Sequence, residues 1–401
     1  MLLKTGYLVG LVLVAWSIGC SSAAPTPPPT PIPAPTSTLE IALTWVPLDF
    51  ASRQVMFADA RAVAIASGKP DFRGYATYLA EGTKGIPEFY RLTSQHSRLS
   101  GAFPMLIDDV GFDPLANAVR IWTEGGGLTT PQVLVMQEGF QNDEVGPNLL
   151  DLGYSRETYN EVAYYKFWDY TTGGSFLLEH PFRLSGIYLN VVAPLDNLLL
   201  ASPSVAETRV LIDLHQGIGA SLWDSTPHRI LAQEAGATLL GASFIAPGEV
   251  QEITSRYLEQ AAEESHSDFS AQWSAMQPYD LALLGYQVRG VQEEAVMALY
   301  YTDRKAAAVA AEKLERRWND TIITTMQQSG TTTSRDSLEE NPLTAFCAPF
   351  TTEVVTLDTA SVLIGRCPFL GLRTFQVFAP KIWDNGMEGT GLVLVLNPDV
   401  S

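Results

Sequence analysis

Three aspartates around one glycine form a group of candidate metal-ligating side chains in the sequence. Asp108 and Asp109 precede Gly111. Asp113 lies two residues after this glycine and immediately before Pro114. Carboxylate oxygens are ligands that Ca²⁺ prefers, and a glycine permits the sharp turn of a short binding loop. A capped turn with solvated acidic side chains explains the same residues and is the preferred interpretation. No metal site is therefore predicted.

Other motifs that carry chemistry are absent from the sequence. It has no G-x-G-x-x-G or P-loop motif for nucleotides, no H-E-x-x-H or EF-hand motif for metals, and no G-x-S-x-G nucleophile motif. The histidines are dispersed without ligand spacing, at His96, His180, His215, His228 and His266. Each is interpreted as a surface or hydrogen-bonded structural residue. No catalytic or cofactor-binding residue is predicted, although catalytic groups need only be adjacent in space.

An aromatic segment runs from Tyr159 to Tyr170. If it is one strand, Tyr164, Trp168 and Tyr170 lie on the same face. Exposed, these three rings would form a platform able to stack sugar rings or contact a protein partner. A strand buried on both faces explains the pattern equally and is preferred. The platform is kept as a candidate binding site for a protein or glycan.

Two cysteines in the C-terminal part of the chain, Cys347 and Cys367, are candidates for a disulfide. The β-rich runs at 351–357 and 361–366 predict a hairpin that turns at Asp358 and Thr359. Opposed residues of that hairpin have numbers that add to 717, and the cysteine numbers add to 714, so the thiols lie near each other at its open end. Two buried free thiols are the alternative. No other Cys and no His is close enough in sequence to favour zinc.

The N-terminal twenty residues have the pattern of an export signal. Lys4 precedes an uncharged apolar stretch from Tyr7 to Ile18, which ends at Gly19 and Cys20. At about a dozen residues this stretch is shorter than the roughly 20 that a membrane-spanning helix needs. Residues 1–19 are therefore predicted to be a signal peptide.

The sequence Ser17-Ile18-Gly19-Cys20 resembles the lipobox of bacterial lipoproteins, with Ser17 where that family usually has Leu. The resemblance implies cleavage before Cys20 and attachment of lipid to its thiol, on the outer face of the cell membrane. A plain secretory leader, which would give a secreted protein, and an uncleaved anchor are the alternatives.

A linker rich in proline, threonine and alanine follows, and is predicted for residues 20–38. Seven prolines lie between Pro25 and Pro35. Such a run favours extended polyproline II structure and cannot pack a core. At about 3.1 Å per residue, the segment from Pro25 to Thr36 spans roughly 35 Å. We expect it to hold a folded body away from a membrane surface.

The composition predicts an acidic globular protein. Against 25 Lys and Arg stand 44 Asp and Glu, which gives a formal net charge of −19. This charge disfavours binding to nucleic acids, because their phosphates would be repelled. The hydrophobic fraction of 46% is ample for a packed core, and 401 residues suggest two or three folded units.

The elements that must position these residues alternate between strands and helices. Each half of the folded part shows the order strand, helix, two strands, helix, strand, which is typical of a split βαβ or ferredoxin-like unit. We therefore predict two α+β domains with mainly antiparallel sheets, at residues 39–228 and 229–401. Predicted strands lie at 55–59, 118–124, 132–138, 159–168, 187–193, 197–201, 237–246, 280–288, 295–300 and 391–396, and predicted helices at 148–152, 204–217, 249–263 and 302–318.

Three functions are compatible with these features. The favoured one is a membrane-anchored lipoprotein that acts as a non-enzymatic binding or interaction module. The second is a solute-binding lipoprotein of a transporter, which would have two α/β lobes with parallel sheets, whereas the predicted strand pairs are hairpin-like. The third is an exported hydrolase using scattered acids such as Glu138 and Asp169.

Overall fold

The computed structural model describes residues 32–66, 106–111, 119–124, 133–137, 142–168, 180–182, 189–251, 277–290, 292–320, 322–326, 338–342, 344 and 347–369. Residues 35–401 group into one compact unit by their backbone contacts. The predicted signal peptide, Cys20 and Tyr170 lie outside the described residues. None of the helices described is long and apolar enough to cross a membrane.

Most described strands belong to a single sheet. They are β1 (Gln54–Asp59), β2 (Val119–Glu124), β3 (Val133–Gln137), β4 (Ser155–Tyr159), β5 (Val162–Lys166), β6 (Val191–Pro194), β7 (Leu198–Ser202), β8 (Leu239–Ile245), β9 (Leu281–Arg289), β10 (Gln292–Tyr301), β11 (Ile322–Met326), β12 (Leu338–Pro342), β13 (Thr351–Thr356) and β14 (Ser361–Pro368). Twelve of them form the sheet in the order β13-β14-β10-β9-β8-β1-β2-β3-β7-β6-β5-β4, and β11 pairs with β12 separately. Every pairing is antiparallel.

Six α-helices accompany the strands in the described part of the chain. They are α1 (Thr38–Leu43), α2 (Ala60–Ala66), α3 (Asn142–Asp151), α4 (Val205–His215), α5 (Thr226–Ala235) and α6 (Arg304–Asp320). The boundaries of α4 agree with the helix expected at 204–217. Ser204 is the N-cap, and its hydroxyl accepts a hydrogen bond from the Glu207 N–H at 3.3 Å. Gly217 follows the helix in the left-handed region, at φ 77°.

The sheet is covered on both faces, as the central strand β1 shows. All six of its residues are buried, and successive side chains point to opposite faces. Val55 and Phe57 belong to a core that includes residues of α1, α4 and α5, and we call this side the α5 face. Met56 and Ala58 belong to a second core with residues of α3 and α6, on the side that we call the α6 face.

The α+β class with mainly antiparallel sheets is confirmed, but the two ferredoxin-like domains are not. The sheet continues from one predicted domain into the other because β1 pairs directly with β8, with Phe57 opposite Ala242. The predicted boundary near residue 228 falls inside α5, whose Leu231 and Ala232 are buried in the α5-face core. The segment is an amphipathic helix, so it contains no polar linker that would separate two domains.

The local predictions agree with most described elements. The strands expected at 55–59, 118–124, 132–138, 187–193, 197–201, 237–246, 280–288 and 295–300 correspond to β1, β2, β3, β6, β7, β8, β9 and β10. The hairpin of β13 and β14 has the predicted register, since Thr351 pairs with Arg366 and Thr356 with Ser361. The strand expected at 391–396 lies outside the described residues.

Two local predictions were right only in part. The strand expected from Tyr159 to Trp168 corresponds to β5, which begins at Val162 because the chain turns at Asn160 and Glu161 between β4 and β5. Both turn residues have positive φ, 46° and 66°, which is the geometry of a type I′ turn. The helix expected at 148–152 is longer, since α3 begins at Asn142 and contains Pro147. Burial of Val145 and Leu149 stabilises the longer helix.

Candidate functional site

The predicted disulfide is present between Cys347 and Cys367. The two Cα atoms are 5.5 Å apart, and both residues are fully buried. Cys367 lies on β14, while Cys347 precedes β13 and lies at the open end of the hairpin, as the register argument predicted. The bond joins β14 to the segment that leads into β13, the edge strand of the sheet.

A narrow apolar crevice lies beside the disulfide. Its lining includes Cys367, Trp318 of α6, and Phe350. The Trp318 and Phe350 rings are stacked at 4.3 Å between centroids and 10° between planes. Phe350 also lies directly on Gly365, where a Cβ would be 2.4 Å from its ring. The crevice is an extension of the apolar core and offers no polar group for chemistry.

The three predicted platform residues have different surroundings. Tyr164 on β5 is fully buried on the α5 face, so it adds no exposed ring. Trp168 is half-buried just after β5. Its backbone N–H donates to Asn190 Oδ1 at 2.9 Å, and its carbonyl accepts from Asn190 Nδ2 at 3.1 Å. Because Tyr170 is outside the described residues, the structure does not assemble the platform, which stays a prediction.

A polar network covers the Tyr164 hydroxyl. The Tyr164 hydroxyl donates a short hydrogen bond to Glu157 Oε2, and Lys166 Nζ lies 2.6 Å from the other oxygen of that carboxylate. These hydrogen bonds from Lys166 and Tyr164 lower the pKa of Glu157. Burial, together with the Glu157 carboxylate, raises the pKa of Tyr164, so the phenol stays protonated and acts as a donor. The Arg209 guanidinium also donates to the Tyr164 oxygen, at 3.2 Å.

The same helix that supplies Arg209 is fixed to the β4–β5 hairpin by further polar contacts. Asp213 of α4 accepts hydrogen bonds from the Tyr159 hydroxyl at 3.0 Å and from Asn160 Nδ2 at 2.9 Å. Gln216 Nε2 donates to the Asn160 carbonyl at 2.8 Å. The network therefore holds α4 on the outer strands of the sheet. Sequence reasoning missed it because Glu157 and Arg209 are far apart in the chain.

His180 is a hydrogen-bonded core residue, as expected. Its Nδ1 accepts from the Phe182 N–H at 3.1 Å, and its Nε2 lies 3.3 Å from the Tyr154 hydroxyl, which donates to the Leu189 carbonyl at 2.7 Å. This pattern places the proton on Nε2. Burial lowers the pKa of His180 to about 4, so the ring is neutral at physiological pH.

Ser225 and His228 come nearest to a nucleophile and base among the described residues. Ser225 Oγ lies 2.8 Å from His228 Nδ1, at the start of α5. A catalytic histidine is normally oriented by a third group on its other nitrogen. His228 Nε2 is buried and has no hydrogen-bond partner in the described part of the chain. Burial also lowers the pKa of His228 to about 4, which makes it a weak base.

The aspartates considered for calcium give no site in the structure described. Asp108 and Asp109 are exposed on a short π-helical turn at Leu106–Val110, and Asp113 lies outside the described residues. No group of three or more His, Cys, Asp or Glu side chains within the described ranges is arranged to hold a metal ion.

The chain matches no protein-family model and no curated protein. Two solved structures resemble it weakly, crystal form III and crystal form I of TP0453. Each has a TM-score of 0.35 and 7% sequence identity. The match covers 83% of this chain and 95% and 94% of the two others. A likeness at this level carries no argument about fold or function.

Proposed function

We propose that this protein is an exported lipoprotein, held on the outer face of the cell membrane by lipid on Cys20, which acts there as a non-enzymatic binding or interaction module. The observation that carries the proposal is the apolar segment that ends at Ser17-Ile18-Gly19-Cys20 and leads into a proline-rich linker. The protein would then consist of an anchor, an extended spacer and one folded body.

The Cys347–Cys367 disulfide supports export. Disulfides persist in oxidising compartments and are rare in the reducing cytosol. This one is fully buried and closes the edge hairpin of the sheet. A protein that relies on such a bond is suited to the outside of the cell.

The antiparallel sheet favours a binding module over a solute-binding lipoprotein of a transporter. A solute-binding lipoprotein with two α/β lobes would need parallel strands, and every described pairing is antiparallel. The hydrolase alternative has one observation in its favour, the contact between Ser225 and His228. The low pKa of His228 and its buried, unoriented Nε2 weaken that alternative.

Metabolic labelling with radioactive palmitate tests the anchor. The full chain is expressed in a bacterial host beside the Cys20→Ala variant and a matched Ser21→Ala variant. We expect label in the original chain and in Ser21→Ala, and none in Cys20→Ala. A chain that carries no label, or label that persists in Cys20→Ala, would disprove the lipid anchor.

A further inference from the structure

Two tyrosine hydroxyls on the α6 face have no hydrogen-bond partner among the described residues. Tyr279 precedes β9 and is 3% exposed, and Tyr301 ends β10 and is 1% exposed. The two strands pair at this point, with Tyr300 opposite Leu281, which brings the two rings together. Their centroids are 6.4 Å apart and their planes are nearly perpendicular, at 77°.

A buried hydroxyl without a partner is costly, because it loses its hydrogen bonds to water and gains none in return. Phenylalanine would fill the same space without that cost. Tyr154 shows the usual arrangement in this protein, since its buried hydroxyl donates to the Leu189 carbonyl at 2.7 Å. Two unsatisfied hydroxyls on neighbouring rings therefore indicate an occupant that accepts hydrogen bonds.

A cationic side chain acts on both of these hydroxyls. Arg317 of α6 is 4% exposed, and its guanidinium lowers the pKa of both Tyr279 and Tyr301 against the larger, raising effect of burial. The Asp280 carboxylate raises the pKa of Tyr301, but this effect is smaller than the lowering by Arg317. The Asp280 carboxylate is exposed and already accepts hydrogen bonds from the Thr302 N–H and hydroxyl, both at 2.8 Å.

We propose that Tyr279, Tyr301 and Arg317 form a binding site for a small oxyanion whose oxygens accept hydrogen bonds from both phenolic hydroxyls. Two O–H donors beside a guanidinium match the acceptor oxygens of a carboxylate or a phosphate. The site gives the proposed binding role a ligand class and depends on that role. It does not depend on the lipid anchor, which palmitate labelling tests separately.

Acetate and inorganic phosphate are the probes, with chloride at matched ionic strength as the reference anion. Unfolding of the full chain is followed in urea with each anion, for the original protein and for the Tyr279→Phe/Tyr301→Phe double variant. At a tenfold excess of anion over Kd, the folding equilibrium constant of the original protein should rise about 11-fold. The double variant should lose this rise, while its stability in chloride stays equal or increases.

Tyr154→Phe is the matched control. It removes a buried hydroxyl that already has a partner, so it should lower stability in chloride but keep the full response to the anion. Equilibrium dialysis of the original protein against radioactive acetate, with phosphate as competitor, should show one site per chain. Competition by phosphate distinguishes a general oxyanion site from one that is selective for carboxylates.

Three results would overturn the proposal. One is the absence of both bound acetate and any anion-dependent gain in the original protein, as expected if only water occupies the site. Another is an unchanged anion response in the double variant. The third is a combination of two results: the double variant is less stable than the original protein in chloride, and dialysis shows no saturable binding of acetate. Together these results would assign the hydroxyls a purely structural role.

Discussion

Arg53 Nη2 lies 2.8 Å from Glu207 Oε1, and this ion pair joins the residue before β1 to the first turn of α4. The side chains are only 21% and 13% exposed. The guanidinium also lies over the Phe50 ring, 3.9 Å from its centroid. The contact spans 154 positions of the sequence and connects the central strand with the helix that covers the outer strands.

Replacing Glu207 by Gln should lower the free energy of unfolding by about 1 kcal/mol, because a partly buried, charge-assisted hydrogen bond is weakened. The matched control is Glu353→Gln. Glu353 pairs with Arg366 at 3.1 Å but is 61% exposed, so its loss should cost at most about 0.5 kcal/mol. Urea unfolding of both variants measures the difference, and equal effects would show that the Arg53–Glu207 contact adds nothing special.

Removing the disulfide should destabilise the fold by roughly 3 kcal/mol, because the bond closes a loop of 20 positions and restricts the unfolded chain. The test is urea unfolding of the Cys347→Ala/Cys367→Ala variant. Reduction of the original protein with dithiothreitol should reproduce that loss and leave the variant unchanged. A reductant that has no effect on the original protein would contradict the prediction.

Stability should fall in mild acid because of His228. Burial holds the pKa of His228 at about 4 in the folded protein, below the ordinary 6.5, so the unfolded state binds more protons. Its contribution is fully present above about pH 6.5 and is lost as the pH falls towards 4. Between those values, it should make the free energy of unfolding fall by up to about 1.4 kcal/mol per pH unit.

His228→Leu should reduce this slope, as measured by urea unfolding at several pH values. Ser225→Ala is the matched control, because it removes the hydroxyl beside His228 and leaves the buried ring in place. It should keep the slope of the original protein. Identical slopes for His228→Leu and the original protein would rule out His228 as a source of acid sensitivity.

Glu161→Gly should stabilise the β4–β5 hairpin by about 1 kcal/mol. Glu161 has φ 66°, a left-handed conformation that costs side chains with a Cβ and suits glycine. Asn-Gly is the preferred pair for this type of turn. Glu161→Ala keeps the Cβ and should bring no gain. Thermal unfolding of the two variants decides, and a loss of stability in Glu161→Gly would contradict the argument.

Patterns of short range were sufficient to predict many, though not all, of the described strands and helices. The β-rich runs at 351–357 and 361–366, with the turn between them, predicted β13 and β14 with their register, and that register brings Cys347 and Cys367 together. The capping side chain of Ser204 specifies the start of α4, and the left-handed backbone conformation that Gly217 readily adopts specifies its end. These features depend on residues that are close in the chain, so their physical cause is contained in a short stretch of sequence.

The arrangement of those elements depended on contacts between distant residues. The pairing of β1 with β8 merges two expected domains into one sheet, and nothing near Phe57 in the sequence specifies Ala242 as its partner. Burial under α4 removed Tyr164 from the expected platform. The site proposed at Tyr279, Tyr301 and Arg317 likewise depends on the packing of α6 on the sheet, since residues of separate elements come together only when the apolar faces of those elements are buried.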